Sequence, residues 1–306
     1  MSKINLVNNG IFPITKDKDG NSLSEKLDTE YSVAGTFQGE GALIGVPVLF
    51  IRTSGCNLRC VFRDNKGGAT PCDTAYSSHY AETNLTEIED IVSVVNQNRG
   101  NINHIVISGG EPTLQKEVLA ELLQRLQQEG FHTTIETNAT IYTDDIAKYT
   151  NLISMSPKLK TSNPTKEAVE LAHKIDPKLK YNEKWEKKHD EIRRDIPAIQ
   201  KYIDSCFNGD STSTYFEINY NKRKVHKSFQ LKFVVSKVED LDEIENDFIK
   251  HLKGVRPTDI YLMPEGITPQ ELMERGGWVA EEAIKRGWVF APRLHCLMFG
   301  HAKRGV

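Results

Sequence analysis

Short apolar runs alternate with amphipathic stretches along most of this chain, and that alternation restricts the fold more than any other feature. The runs at Val48 to Arg52, His104 to Ser108, Thr133 to Thr137, Leu152 to Ser156, Gln230 to Val235, Ile260 to Met263 and Val289 to Pro292 have the length and composition of buried strands. Pro47 precedes the first of them, a position a strand tolerates because no interior ladder bond is lost. Between the second and third runs, Val118, Leu119, Leu122, Leu123 and Leu126 recur at helical core spacing, and Gly130 supplies a stop. Asp240 to Lys253 and Thr268 to Arg286 carry the same period. Strands that alternate with helices in this way form a parallel sheet with crossover helices, so the expected class is α/β, a set of βα units in one barrel-like sheet. Ligands of such sheets gather beyond the carboxyl ends of the strands, which makes the polar residues after each run the candidates for function.

One segment breaks the rhythm. From Leu159 to Lys227 the chain is lysine-rich, contains Lys184-Trp185-Glu186-Lys187-Lys188, and shows no buried-strand pattern before Thr214 to Tyr220. Ala168, Val169, Leu171, Ala172 and Ile175, then Ile199, Tyr202 and Ile203, predict two short helices packed on the barrel. The expectation is a single domain over 1–306 with 159–227 inserted as a lid or a partner surface. The 38% hydrophobic and 26% charged content is that of a soluble globular protein, and no apolar run reaches the roughly 20 residues of a membrane span. Met1-Ser2-Lys3-Ile4-Asn5 begins no signal peptide, so a cytoplasmic location is expected, without a membrane partner. A net charge of -3 gives no general attraction to nucleic acid. The five cysteines, odd in number with three clustered, argue for a reducing compartment over a disulfide framework.

Those three are Cys56, Cys60 and Cys72. A local group of three thiolates is compatible with a four-iron cluster whose fourth iron stays open, with structural zinc, or with buried thiols. Zinc wants a second CxxC or a His pair downstream, and neither appears. Gly67-Gly68 and Pro71 give the stretch between Cys60 and Cys72 its turn chemistry, and loop closure entropy grows only slowly with length. Glycine-rich Ser108-Gly109-Gly110-Glu111-Pro112 ends a strand and opens a helix, where backbone can approach a ligand closely. Glu136 and Asn138, then Ser156 and Lys158, sit at the same level of later units; each alone reads as a cap or loop residue, and the repetition favours a site. Gln38 and Glu40 can pair with a donor and acceptor edge, and the planar fork of Arg52 suits a carboxylate. Cys206 and Cys296 read as small buried hydrophobes, His295 and His301 as packing around Leu297-Met298-Phe299, and Trp185, Trp278 and Trp288 as anchors.

Taken in order, Thr36-Phe37-Gln38-Gly39-Glu40-Gly41, Phe50-Ile51-Arg52, the cysteines with Asp73-Thr74, Ser108 to Pro112, Glu136-Thr137-Asn138, Ser156-Pro157-Lys158, Leu262-Met263-Pro264-Glu265 and Lys303-Arg304-Gly305-Val306 resemble the radical S-adenosylmethionine enzymes. Within them the chain is similar to the 7-carboxy-7-deazaguanine synthase family, over most of its length. It departs from the usual CxxxCxxC spacing, because Val61 to Pro71 separates the second cysteine from the third.

The resemblance implies a partial (β/α)6, TIM-like radical SAM barrel with an inserted, mainly helical segment. It implies a 4Fe-4S cluster on Cys56, Cys60 and Cys72, and S-adenosyl-L-methionine held by Gly110, Glu111, Glu136, Asn138, Ser156, Pro157, Lys158 and the run Leu262, Met263, Pro264 and Glu265. It gives the pterin substrate to Phe37, Gln38, Gly39, Glu40, Arg52, Ser108 and the terminal carboxylate of Val306, and a Mg2+ ion to Thr74. The implied reaction converts 6-carboxy-5,6,7,8-tetrahydropterin to 7-carboxy-7-deazaguanine with loss of ammonia. The radical arises on the cofactor, so no side chain is assigned as catalytic. An electron donor such as flavodoxin or ferredoxin and a homodimer are implied as partners. Two rival readings are a glycyl-radical enzyme activase and a catalytically silent iron-sulfur regulatory protein.

Overall fold

The computed structural model describes residues 2–24, 27–207, 216–220 and 223–300. Val306, the whole Lys303 to Val306 terminus and His301 lie outside the described residues. The strands are β1 (Lys3–Phe12), β2 (Thr36–Phe37), β3 (Pro47–Thr53), β4 (Val61–Arg63), β5 (Ala69–Pro71), β6 (Asn84–Glu87), β7 (His104–Gly109), β8 (His132–Thr137), β9 (Leu152–Met155), β10 (Phe216–Tyr220), β11 (Arg223–Val235), β12 (Ile260–Pro264) and β13 (Val289–Phe290). Seven of them, β3, β7, β8, β9, β11, β12 and β13, lie side by side, parallel and in unbroken chain order. All seven expected strands are therefore present, in the consecutive order that a partial barrel requires. β11 starts upstream of its expected position because it first pairs with β10 as a hairpin and joins the sheet only at Ser228, opposite Leu152.

Two strands extend the sheet beyond β3 in the antiparallel sense, β1 and then β6. Neither has a readable period. β1 is broken by a register shift between Leu6 and Ile11, with Asn9 at φ 52°, and Gly10 is needed there because a β-carbon would sit 2.8 Å from Leu6 Cβ. β6 alternates nothing buried at all.

Helix Lys116–Gln128 buries Leu119, Leu122, Leu123 and Leu126, as its spacing predicts. Helix Pro269–Arg286 begins with a capping box between Thr268 and Glu271 and ends at Gly287 in the left-handed conformation, φ 68°. The stretch expected as one helix over Asp240 to Lys253 is instead composite: Glu239–Glu243 is α, Ile244–Phe248 a π-turn and Ile249–His251 a 3-10 turn. The π-turn keeps Phe248 fully buried, edge-on to Phe233 at 5.4 Å.

Between Leu159 and Lys227 there are three described helices where two are expected, Lys166–Ala172, Glu183–Ile192 and Ile196–Asp204. The middle one was hidden because it is charged along its length and buries only His189. The third belongs to the main core. It makes the crossover from β9 to β11 and carries Ile199, Tyr202 and Ile203 into the central apolar cluster, together with Cys206 just beyond its end. The first packs elsewhere: Ala168, Val169 and Ala172, with Leu179, form a separate small core with Val61 of β4 and Ala69 of β5.

Candidate active site at the carboxyl ends of the strands

The long interval between Cys60 and Cys72 folds as a hairpin. β4 and β5 pair in register, Val61 opposite Pro71, and the Cys72 amide donates to the Cys60 carbonyl at 3.2 Å. The excursion thus returns the chain to where it left, and Cys56, Cys60 and Cys72 line one cavity. Burial pushes the Cys56 thiol up to about 12, and burial likewise raises Cys60 and Cys72. Among the described residues no His, Cys, Asp or Glu group converges tightly enough for a single ion. In a four-iron cluster each thiolate takes a different iron, so its ligands need not meet at one point.

Gly109 and Gly110 are required by close approach of backbone to backbone. A β-carbon on Gly109 would lie 2.3 Å from the Thr53 carbonyl oxygen, and one on Gly110 would lie 2.2 Å from that of Gly55. Glu111 then closes the contact, its amide donating to the Gly55 carbonyl at 2.8 Å. Its carboxylate is wholly buried and does not line the cavity. It accepts from the Thr113 amide at 3.0 Å, the Thr113 hydroxyl at 2.6 Å, the Thr137 hydroxyl at 2.7 Å and the Asn138 amide at 2.6 Å. Glu111 therefore ties the end of β7 to the end of β8, beneath the cysteine loop. Asn138 in turn donates to Asn57 between the first two cysteines at 2.9 Å.

On the opposite wall stands a charged network. Glu40 accepts from Lys232 at 2.9 Å and from Arg293 at 3.1 Å, with the His295 ring at 3.9 Å. Burial works to raise the Glu40 pKa, but Lys232, then Arg293 and His295, overcome it and hold the carboxyl well below the usual range. Burial also opposes the charges on Lys232 and Arg293, and their carboxylate partners more than restore them. Glu136 lies 3.5 Å from Lys232 and accepts from Gln38 at 3.3 Å. Arg293 continues to Asp73 at 2.6 Å and to the Gly266 carbonyl at 2.7 Å. Gly39 is needed here, since a β-carbon would fall 2.1 Å from His295 Nδ1. Two buried polar atoms of cavity residues have no partner among the described residues, Nε of Arg52 and Oε1 of Glu265.

The Radical SAM superfamily profile matches residues 50–198. A 7-carboxy-7-deazaguanine synthase of Halobacterium salinarum is 35% identical over 272 residues, which cover 87% of this chain and 88% of that one. Another, of Rhodopirellula baltica, is 33% identical over 269 residues, covering 88% and 85%. The chain belongs to the 7-carboxy-7-deazaguanine synthase family. The crystal structure of QueE from Escherichia coli shares the fold, with a TM-score of 0.56 over 96% of this chain and 95% of that one at 19% identity.

Membership in this radical SAM family brings a four-iron cluster and S-adenosylmethionine. The three thiols, spread around one cavity beside the two glycines, fit such a cluster. Of the residues that the resemblance assigns to ligands, Phe37, Gln38, Gly39, Glu40, Arg52, Thr74, Ser108, Gly110, Glu136, Asn138, Ser156, Lys158, Met263 and Glu265 line this cavity with the cysteines. Glu111, Pro157, Leu262 and Pro264 do not; Leu262, in β12, is fully buried in the central core. Lys158 folds back on Ser156, donating to its hydroxyl at 2.7 Å and its carbonyl at 3.0 Å. Lys232, Arg293 and His295 also line the cavity, although sequence reasoning gave the first two no role and read His295 as packing. The signal for Lys232 was present: a lysine within an otherwise apolar strand, in the sequence Leu231-Lys232-Phe233, is out of place unless paired.

Proposed function

We propose that this family member converts 6-carboxy-5,6,7,8-tetrahydropterin to 7-carboxy-7-deazaguanine with release of ammonia. The observation that carries the reading is that one cavity holds both Glu40, bonded to Lys232 and Arg293, and Arg52, whose Nε has no partner among the described residues. Glu40 and the Gln38 amide offer an acceptor and donor edge for the pterin ring, and Arg52 takes the substrate carboxylate as a two-pronged donor. When bound, the cluster and S-adenosylmethionine supply the one-electron chemistry that opens a radical reaction. The chain's own part is to hold and enclose. Gly110 gives backbone access beside the cysteines; Glu136, Asn138, Ser156, Lys158, Met263 and Glu265 line the cofactor side. The wall of Glu40, Lys232 and Arg293 is charge-paired before the substrate arrives, so binding requires no reorganisation of it.

Thr74 is the residue for a magnesium ion. It stands at the N-cap of the short turn Ala75–Ser78 without a side-chain cap bond, its hydroxyl 3.5 Å from the Cys72 sulfur, and so offers a hard oxygen at the cavity for a cation that keeps most of its waters. The reading carries with it a small one-electron donor such as a flavodoxin or ferredoxin, and a homodimeric assembly. Anaerobic turnover of the carboxylated tetrahydropterin, followed by mass detection of the deazapurine, tests it. A protein that carries its cluster and cleaves S-adenosylmethionine but yields no deazapurine overturns the substrate assignment.

A further inference from the structure

The two departures of this chain from a plain barrel, the lengthened cysteine interval and the helical segment before β11, meet each other. His189 of helix Glu183–Ile192 is fully buried, and its Nδ1 accepts from the backbone amide of Arg59, one residue before Cys60, at 3.1 Å. The Ser162 hydroxyl donates to the Leu159 carbonyl at 2.7 Å, so across 3.2 Å it accepts from His189 Nε2. That chain of bonds fixes the ring as the neutral tautomer with its proton on Nε2. The Arg59 guanidinium lies over the Trp185 ring at 3.8 Å and donates back to the Cys56 and Leu58 carbonyls at 2.7 and 2.8 Å. The hairpin that spaces Cys60 from Cys72 rests, through Val61 and Ala69, on Ala168, Val169, Ala172 and Leu179 of the same segment. Arg63 of β4 pairs with Glu167 at 2.8 Å.

We infer that residues 163–192 are a bracket for the cluster-binding loop, with His189 and Trp185 as positioning residues that hold the Cys56–Cys60 turn in its ligating shape before the cluster arrives. Both stretches between the cysteines touch this one segment, and the hydrogen bond to Arg59 involves the backbone of the ligand loop itself. A loop preformed in this way loses less entropy on binding and releases its cluster more slowly. The inference rests on the reading that Cys56, Cys60 and Cys72 hold the cluster.

The test compares the wild-type protein with His189→Phe, His189→Asn and Trp185→Ala. Amide hydrogen exchange at Arg59 is read in cluster-free protein, and the rate of iron release to a ferrous chelator in anaerobically reconstituted protein. His189→Phe is expected to speed both by about fivefold, the worth of one net hydrogen bond. His189→Asn, whose amide oxygen stands near the Nδ1 position, is expected to recover most of the loss. Iron release and Arg59 exchange unchanged in His189→Phe would overturn the inference, as would equal losses in both His189 variants. Should His189→Phe fail to fold, half-buried Trp185 decides: iron release at the wild-type rate in Trp185→Ala overturns the bracket. If wild-type protein takes up no cluster, the cysteine assignment falls instead, and Arg59 exchange still reports the hydrogen bond by itself.

Discussion

Arg52 shows how one side chain can carry a recognition. Its guanidinium is 5.1 Å from the Phe12 ring, and its Nε has no acceptor among the described residues. Arg52→Lys keeps the charge and loses the fork, so kcat/KM for the carboxylated pterin is expected to fall roughly ten- to a hundredfold, the worth of a charged hydrogen bond. Uncoupled formation of 5'-deoxyadenosine should persist, and measuring both products in one assay checks the split. Thr74→Ala is expected to lose the stimulation of turnover by added magnesium, while Thr74→Ser retains it; a magnesium titration of each variant decides. At this scale the sequence picked out residues that line one cavity where the residue type stands out, as with the three cysteines and Arg52. It was unreadable where partners are distant in the chain. Glu40 meets Lys232 and Arg293 only in the fold, and although the place of Lys232 in an apolar strand is a signal that it needs a partner, nothing local in the sequence says which. Glu111 shows the same distance effect: four donors from Thr113, Thr137 and Asn138 occupy its carboxylate, an arrangement that the sequence around it does not display.

Elements make their own demands. At the start of β7 and β8, His104 and His132 lie edge to face at 4.6 Å, and burial lowers the first to about 3 and the second to about 4. Unfolded, each protonates near 6.5, so the unfolded chain binds more protons as pH falls below that value. Stability is therefore whole above about pH 6.5 and is lost on acidification, by about 2 kcal/mol for each such histidine between pH 7 and pH 5. His132→Phe, which keeps the ring contact and cannot titrate, should flatten that slope in urea unfolding of the cluster-free protein. Helix Ile196–Asp204 looked from its sequence like part of an excursion, since charged stretches flank it. Its Tyr202 is fully buried and donates to the Ile141 carbonyl at 2.9 Å. Tyr202→Ala is expected to cost about 3–5 kcal/mol, measurable by the same unfolding curves. A linker replacing Thr165 to Asn221 would remove this helix along with the bracket, stripping Ile199, Tyr202 and Ile203 from the central apolar cluster and leaving the β9 to β11 crossover without its helix.

Across the whole molecule, the parallel sheet was legible because six of its seven strands are mostly buried and appear as short apolar-rich runs, with only β13 half-buried. The antiparallel flank of β1 and β6 was not, because a bulge and an exposed edge leave no period to find. The consecutive strand order has a consequence in time as well as in space. Cys56, Cys60 and Cys72 leave the ribosome early, whereas Arg293, which clasps Asp73 beside them, is made some 220 residues later. At ~5–20 residues per second, this separates ligand from closure by about 10–45 s. During that interval the later strands and Arg293 are still missing from the cavity wall, so the thiols are expected to be more open to metals and oxidants than in the finished protein. A chain arrested before Lys237 should label rapidly at Cys60 with a thiol reagent, and the completed chain, where Cys60 is only 6% exposed, slowly. Equal labelling rates would mean that the early strands shield the cysteines unaided. The order of synthesis, as much as the finished shape, sets when this protein is most open to the wrong metal.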